Sequence, residues 1–102
     1  MSYQHRGFVI SDEMLASLKG YVEQGRPVGG FLTAVLANDL MDACGRADDT
    51  NIQNLPAFAA WVYNECPSPA HGSREKVKAW LAKFQRARDA AVYDTDPQAS
   101  AE

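Results

Sequence analysis

Residues 31–44, FLTAVLANDLMDAC, carry helical spacing and almost no polar side. Successive residues of a helix are rotated by about 100°. On that spacing Leu32, Val35, Leu36, Leu40 and Ala43 cover one broad flank, and Ala34, Ala37, Met41 and Cys44 cover much of the other. A helix that is apolar all round has to be surrounded. The expectation is a helix from about residue 30 to 46 at the centre of a small bundle. Three other helices just suffice to bury it, and a subunit interface does so more easily. The chain is therefore expected to form an oligomer whose interface draws on residues 31–44.

The flanking segments supply the other helices. Ser11 reads as an N-cap followed by Asp12 and Glu13, acids that suit the positive end of a helix dipole. Ile10 and Leu15 stand at the positions of a hydrophobic staple. Met14, Leu15, Leu18, Tyr21 and Val22 share one face, and Gly25 stops this first helix before the turn GRPVGG. Further on, Leu55, Phe58, Ala59, Val62 and Cys66 form a third stripe. Its start is open between a capping box at Thr50 and Gln53 and a later start with Asn54 as cap. The later start places Pro56 in the first turn, where its missing N–H costs nothing. Pro67 and Pro69 end this helix. Ser73 caps a fourth, whose inner face is Val77, Trp80, Leu81, Phe84, Ala87 and Ala91.

Residues 1–10 read as an arm with a short extended piece at 7–10, and the tail from Asp94 as disordered. No β-alternation of useful length and no internal repeat stands out. The fold class expected is all-α, a compact oligomeric bundle of about four helices in a single domain over residues 1–93. The chain's 102 residues are enough for one such domain with a thin core.

Composition narrows the function classes. A hydrophobic share of 46% with 23% charged residues excludes wholesale disorder. The net charge of −3 is too mild to point to a membrane or nucleic-acid partner. Residues 74–88 nonetheless hold six basic residues and one acid. They are scattered round the helix, where basic side chains cover apolar edges with their stems. The two cysteines, Cys44 and Cys66, form no CxxC pair and read as reduced, buried thiols. No secretory leader and no membrane span is apparent, and a cytoplasmic protein is expected.

Catalytic signals are weak. His5 lies in the arm. His71 follows Cys66 by five residues, so a Cys–His pair is conceivable, yet a loop histidine beside a core cysteine explains both. Asp39 and Asp42 share a helix face, but no E-x-x-H or other ligand motif accompanies them. Local pairing of Asp42 with Arg46, and of Asn38 with Asp42, is the simpler reading, with the trio partly buried and hydrogen-bonded. No catalytic residue, metal or cofactor is expected. One candidate is an anion site at the start of the second helix, beside the plainer reading that Gly29 and Gly30 only make a tight turn or let helices approach closely. Arg26, Gly29, Gly30 and Phe31 would form it, because free backbone N–H groups at a helix start attract phosphate. Arg46 would add charge, and Trp61 or Tyr63 would stack on a base.

The strings GGFLTAVLANDL, GRAD, VYNECP and GSREKVKAWL together resemble a family of small proteins encoded in phages and prophages, mostly without assigned function. The resemblance runs from Gly25 to Leu81. It carries no catalytic signature, and where the family pattern often has an aromatic before Gly72-Ser73 this chain has His71. The resemblance implies a protein acting in the host bacterial cytoplasm during infection. It implies a non-enzymatic binder that blocks or diverts a host system, in some cases an oligomer that traps a nucleotide immune signal. Two alternatives stay open: a protein–protein inhibitor or adaptor of a host factor, and a nucleic-acid accessory protein using the basic fourth helix.

Overall fold

A computed structural model describes residues 3–95, with side chains placed through residue 90. The expected disorder of residues 96–102 and the place of the Ala91 side chain lie outside the described part. Within it the chain is mostly helical, as expected, but it is not all-α. It forms a two-stranded antiparallel hairpin, β1 (Tyr3–His5) and β2 (Phe8–Ile10), followed by α1 (Asp12–Gln24) and α2 (Gly30–Leu36). Then come α3 (Leu40–Arg46), α4 (Asp49–Gln53) and α5 (Leu55–Glu65), a 3₁₀ turn at Ser68–Ala70, and α6 (Arg74–Thr95).

The hairpin replaces the expected arm. Arg6 and Gly7 both have positive φ, 52° and 84°, the geometry of a two-residue turn that matches strand twist. The second strand falls within the extended piece read at residues 7–10, whereas a strand as short as β1 shows no periodicity. The hairpin lies on α5, and the Asn54 side chain ties the two together by accepting the Val9 N–H at 2.8 Å.

Helix α1 follows its sequence signals. Ser11 Oγ accepts the Met14 N–H, and Ile10 and Leu15 are both buried as the staple requires. Leu15, Leu18 and Tyr21 enter the core, and Gly25 closes the helix in the left-handed region at φ 66°. Phe84 packs directly over that glycine, and an added Cβ would overlap its ring.

The expected helix over residues 30–46 is broken in two. Asn38 takes φ 62°, a conformation that asparagine tolerates better than most residues. The Asn38 N–H donates to the Val35 carbonyl and the Asp39 N–H to the Ala34 carbonyl, which closes α2 with the paired bonds of a Schellman end. Asp39 then caps α3 by accepting the Asp42 N–H. This break overturns the picture of one helix buried on all sides. Helix α2 buries Phe31, Leu32, Ala34 and Leu36, whereas α3 buries only Ala43 and leaves Leu40, Met41 and Cys44 exposed.

The third stripe also splits. Asp48 caps the short α4, and α5 begins later with Asn54 at the cap position and Pro56 in the first turn, the second of the two starts considered. Ala57, Phe58, Ala60, Trp61 and Val62 are buried, more of the circumference than one stripe predicts. The reason is that α5 is covered by α2 on one side and by the hairpin on another.

Helix α6 starts at Ser73, whose Oγ accepts the Lys76 N–H. Val77 and Trp80 are buried, and Leu81 and Phe84 partly so. Ala87, expected on the inner face, is exposed, beside an open depression at the end of α1 where Arg88 donates to the Gln24 carbonyl at 3.0 Å. The helix continues through Asp94 and Thr95, where a tail was expected.

Candidate functional site

The break at Asn38 folds α3 back against α2, and a groove lies beside the pair. The groove measures about 370 Å³. Its walls are Ala34 and Val35 of α2, Leu40 and Ala43 of α3, and Leu55, Ala59, Val62 and Tyr63 of α5. Asn38, Asp39, His71 and Gly72 close one end. The Gly72 N–H donates to the Leu36 carbonyl at 2.8 Å, which pins the 71–72 loop against the end of α2. Pockets of this size with apolar walls and a few polar groups are the usual form of binding sites.

Large apolar side chains stand unburied at the rim. Leu40 is 65% exposed and Tyr63 84% exposed. A small monomer has single exposed apolar residues scattered over its surface. Here two of them line one groove.

The acidic pair lies at the edge of this site and is satisfied within the chain. Arg74 Nη2 donates to Asp39 Oδ2 at 3.0 Å and to Asp42 Oδ2 at 2.8 Å, and Arg46 Nε donates to both Asp42 oxygens at 3.1 and 3.0 Å. The Asp42–Arg46 pair is the one read from the sequence. The expected Asn38–Asp42 pair is not formed: Asn38 is exposed, and its role is to end α2. The Asp42 N–H and the Arg74 guanidinium hold the Asp39 carboxyl below the usual carboxylate range. A lowered carboxyl pKa stabilises the fold above the ordinary Asp range, and that gain disappears as pH falls through the folded value. Arg74→Ala is therefore expected to lower Tm slightly at neutral pH, and the difference from wild type to shrink in acid. Thermal melts between pH 7 and pH 3 check this, and a difference that grows in acid would refute it.

The Cys66–His71 pair has the electrostatics of a resting structural site. Burial pushes the Cys66 thiol up to about 11, so it stays protonated at neutral pH. Burial, then the nearby Lys76, lowers His71, which is therefore neutral at the end of the groove. Among the described residues no group of three or more His, Cys, Asp or Glu is placed to hold a metal ion, and no helix is long and apolar enough to cross a membrane.

The residues singled out for an anion site are only partly brought together. Gly29 is the extended cap residue of α2, and the Arg46 guanidinium does lie over Gly30, with Nη1 2.8 Å from where a Cβ would stand. That proximity follows from α3 folding back on α2 and was invisible in the sequence. Helix α2 has only seven residues, however, and Arg46 is engaged by Asp42. Arg26 lies along Gly20 and lines a separate open depression with Glu23, Gln24, Phe84, Ala87 and Arg88. Phe31 is in the core, edge-on to Phe58 at 5.1 Å. Trp61 is 4% exposed and presents no face for stacking, while Tyr63 points outward at the groove rim. Sequence reasoning missed Leu40, Ala59 and Gly72 as groove residues and dismissed His71 as a loop residue. The available signal was Asn38 itself, a residue suited to ending a helix in the middle of an apolar run.

Comparison of the chain with models of protein families, with curated proteins and with solved structures finds no match in any of the three.

Proposed function

We propose that this chain is a non-enzymatic binding protein, of the kind its phage-type resemblance implies, which blocks or diverts a host protein by seating an apolar segment of it in the groove between α2, α3 and α5. The observation that carries the reading is the exposure of Leu40 and Tyr63 in the walls of that apolar groove. An exposed tyrosine at the edge of an apolar hollow is a residue type enriched in protein interfaces. The groove has no cationic wall. Asp39 is the one charged residue lining it, and His71 is held neutral. Those walls suit a protein side chain better than a phosphate. An amphipathic helix, with apolar anchors three and four residues apart, is the form of partner such a groove accepts.

The test is selection of helical peptides from a display library on the wild-type chain, with Ala59→Glu as counter-target. Ala59 is exposed at the groove wall, so the substitution places a carboxylate in the seat without opening the core. Selected peptides are expected to carry amphipathic spacing and to lose at least tenfold in affinity on Ala59→Glu. Peptides that bind both proteins equally well would remove the groove from consideration. Nucleotides and cyclic dinucleotides enter the same calorimetric assay; their binding, with loss on Arg46→Ala, would favour the anion-trap alternative instead.

A further inference from the structure

We infer that the groove seats a tryptophan side chain of the partner, its indole ring against the apolar walls and its N–H directed to the closed end at His71. The inference rests on reading the groove as a docking site for a protein, and it names the residue that anchors the partner there.

The polar side chains of the groove are gathered at that end, and most of what they offer is acceptors. An ionised Asp39 has acceptors only. Its two oxygens take the Asp42 N–H and the Arg74 guanidinium and keep further lone pairs. His71 lines the same end as a neutral ring. A neutral imidazole has one donor and one acceptor nitrogen, and the Cys66 backbone accepts from the donor. The other nitrogen is left as an acceptor. Only the Asn38 amide offers both kinds of group. The backbone N–H groups of Asn38, Asp39 and Gly72 are spent on the Val35, Ala34 and Leu36 carbonyls. A partner group that covers this end must therefore bring a donor, because an acceptor buried without one loses its water for nothing.

Charge narrows the donor to a neutral one. Arg74 already lies on Asp39, and Lys76 stands beside His71, with Nζ 3.6 Å from where a Cβ on Gly72 would be. An ammonium or guanidinium from the partner would meet both.

The walls require an apolar body behind that donor. They are Val35, Leu40, Ala59 and Val62, with Tyr63 at the rim, and the hollow of about 370 Å³ has room for a bicyclic ring. Asn, Gln and Ser bring a neutral donor without such a body. Trp and Tyr bring both. The indole N–H only donates, whereas a phenol also turns an oxygen toward the Asp39 carboxylate. Indole is thus the side chain whose two ends match the two ends of the groove.

The test uses free indole and 1-methylindole, which share the ring and differ at the N–H. Each is titrated into the isotope-labelled full chain and followed at the amide resonances of Val35, Ala59, His71 and Gly72. Indole is expected to shift these resonances and to bind about fivefold tighter than 1-methylindole, the size of one net hydrogen bond. The added methyl is apolar, so hydrophobicity alone gives the opposite order. His71→Phe removes the acceptor from a half-buried loop position and is expected to bind the two probes equally, with an otherwise native amide spectrum. Ala59→Glu is expected to bind neither. Equal binding of the two probes by wild type, a preference that survives His71→Phe, shifts that map away from the groove, or no binding at all overturns the inference. The two proposals fail separately. Selected peptides that depend on Ala59 but carry no tryptophan retain the docking groove and remove the indole seat. Indole binding with the expected preference, but with no peptide ever selected, removes the protein partner and its tryptophan and leaves a seat for a free indole compound.

Discussion

Trp80→Ala is expected to destabilise the protein by about 3–5 kcal/mol, the range for truncating a large buried aromatic. Trp80 joins α6 to α1. Its Nε1–H donates to the Tyr21 carbonyl at 2.9 Å, and its ring packs against Tyr21 and against Phe84. Tyr21 is fully buried, and its hydroxyl donates to the Ala70 carbonyl at 2.6 Å, so the same cluster anchors the turn before α6. Burial, reinforced by the neighbouring Cys66, pushes the Tyr21 phenol up, and it remains a hydrogen-bond donor across the working pH range. Removing the indole leaves a cavity and takes one of two donors from the Tyr21 carbonyl, which keeps the Gly25 N–H. A domain of this size has a total stability of about 5–15 kcal/mol, so the variant should sit near the edge of folding. Urea titration followed by far-ultraviolet circular dichroism measures it. Trp80→Phe should lose less, since most of the ring volume remains. A loss under 1 kcal/mol for Trp80→Ala would mean that α6 is not held to the body as described.

Gly25→Ala is expected to cost about 2–5 kcal/mol. Two independent effects add. The residue has φ 66°, and a left-handed conformation costs an L-residue about 1–2 kcal/mol. The new methyl would also overlap Phe84, and overpacking of that kind costs about 1–3 kcal/mol. Gly45→Ala is the control with the opposite sign. Gly45 lies inside α3 with open space around it, so alanine there should stabilise by about 0.5–1 kcal/mol. Equal effects at the two sites would show that the Phe84 contact is not what constrains Gly25.

The two variants also separate kinds of information. Gly25 as a helix stop was legible in the sequence, because a glycine after an amphipathic stripe is a local signal. Its dependence on Phe84, 59 positions away, was not legible. The same division runs through the candidate site. Tyr63 stood out as a large residue off the main stripe of its helix, and it does face outward. Trp61 stood out for the same reason and is buried. Periodicity states which residues share a side of a helix. It does not state which sides a neighbour covers, and the extended piece read at residues 7–10 did not tell that it would pair with β1 and cover α5.

What the sequence by itself determined here is what acts within a turn or two of the chain. Ser11 and Ser73 start helices, Gly25 ends one, Pro56 belongs in a first turn, and Asp42 pairs with Arg46, because each involves groups at most four residues apart. The tertiary structure decided the rest. Asn38 had to end α2 for α3 to fold back. Arg74 then reaches Asp39 and Asp42 across more than 30 residues of chain, Gly72 hydrogen-bonds Leu36, and the groove opens between three helices. Leu40, which continues an apolar helix in the sequence, becomes part of the groove wall for that reason. Apolar character is a property of the residue, but whether it is buried in its own core or offered to a partner depends on where the helix breaks and what packs beside it.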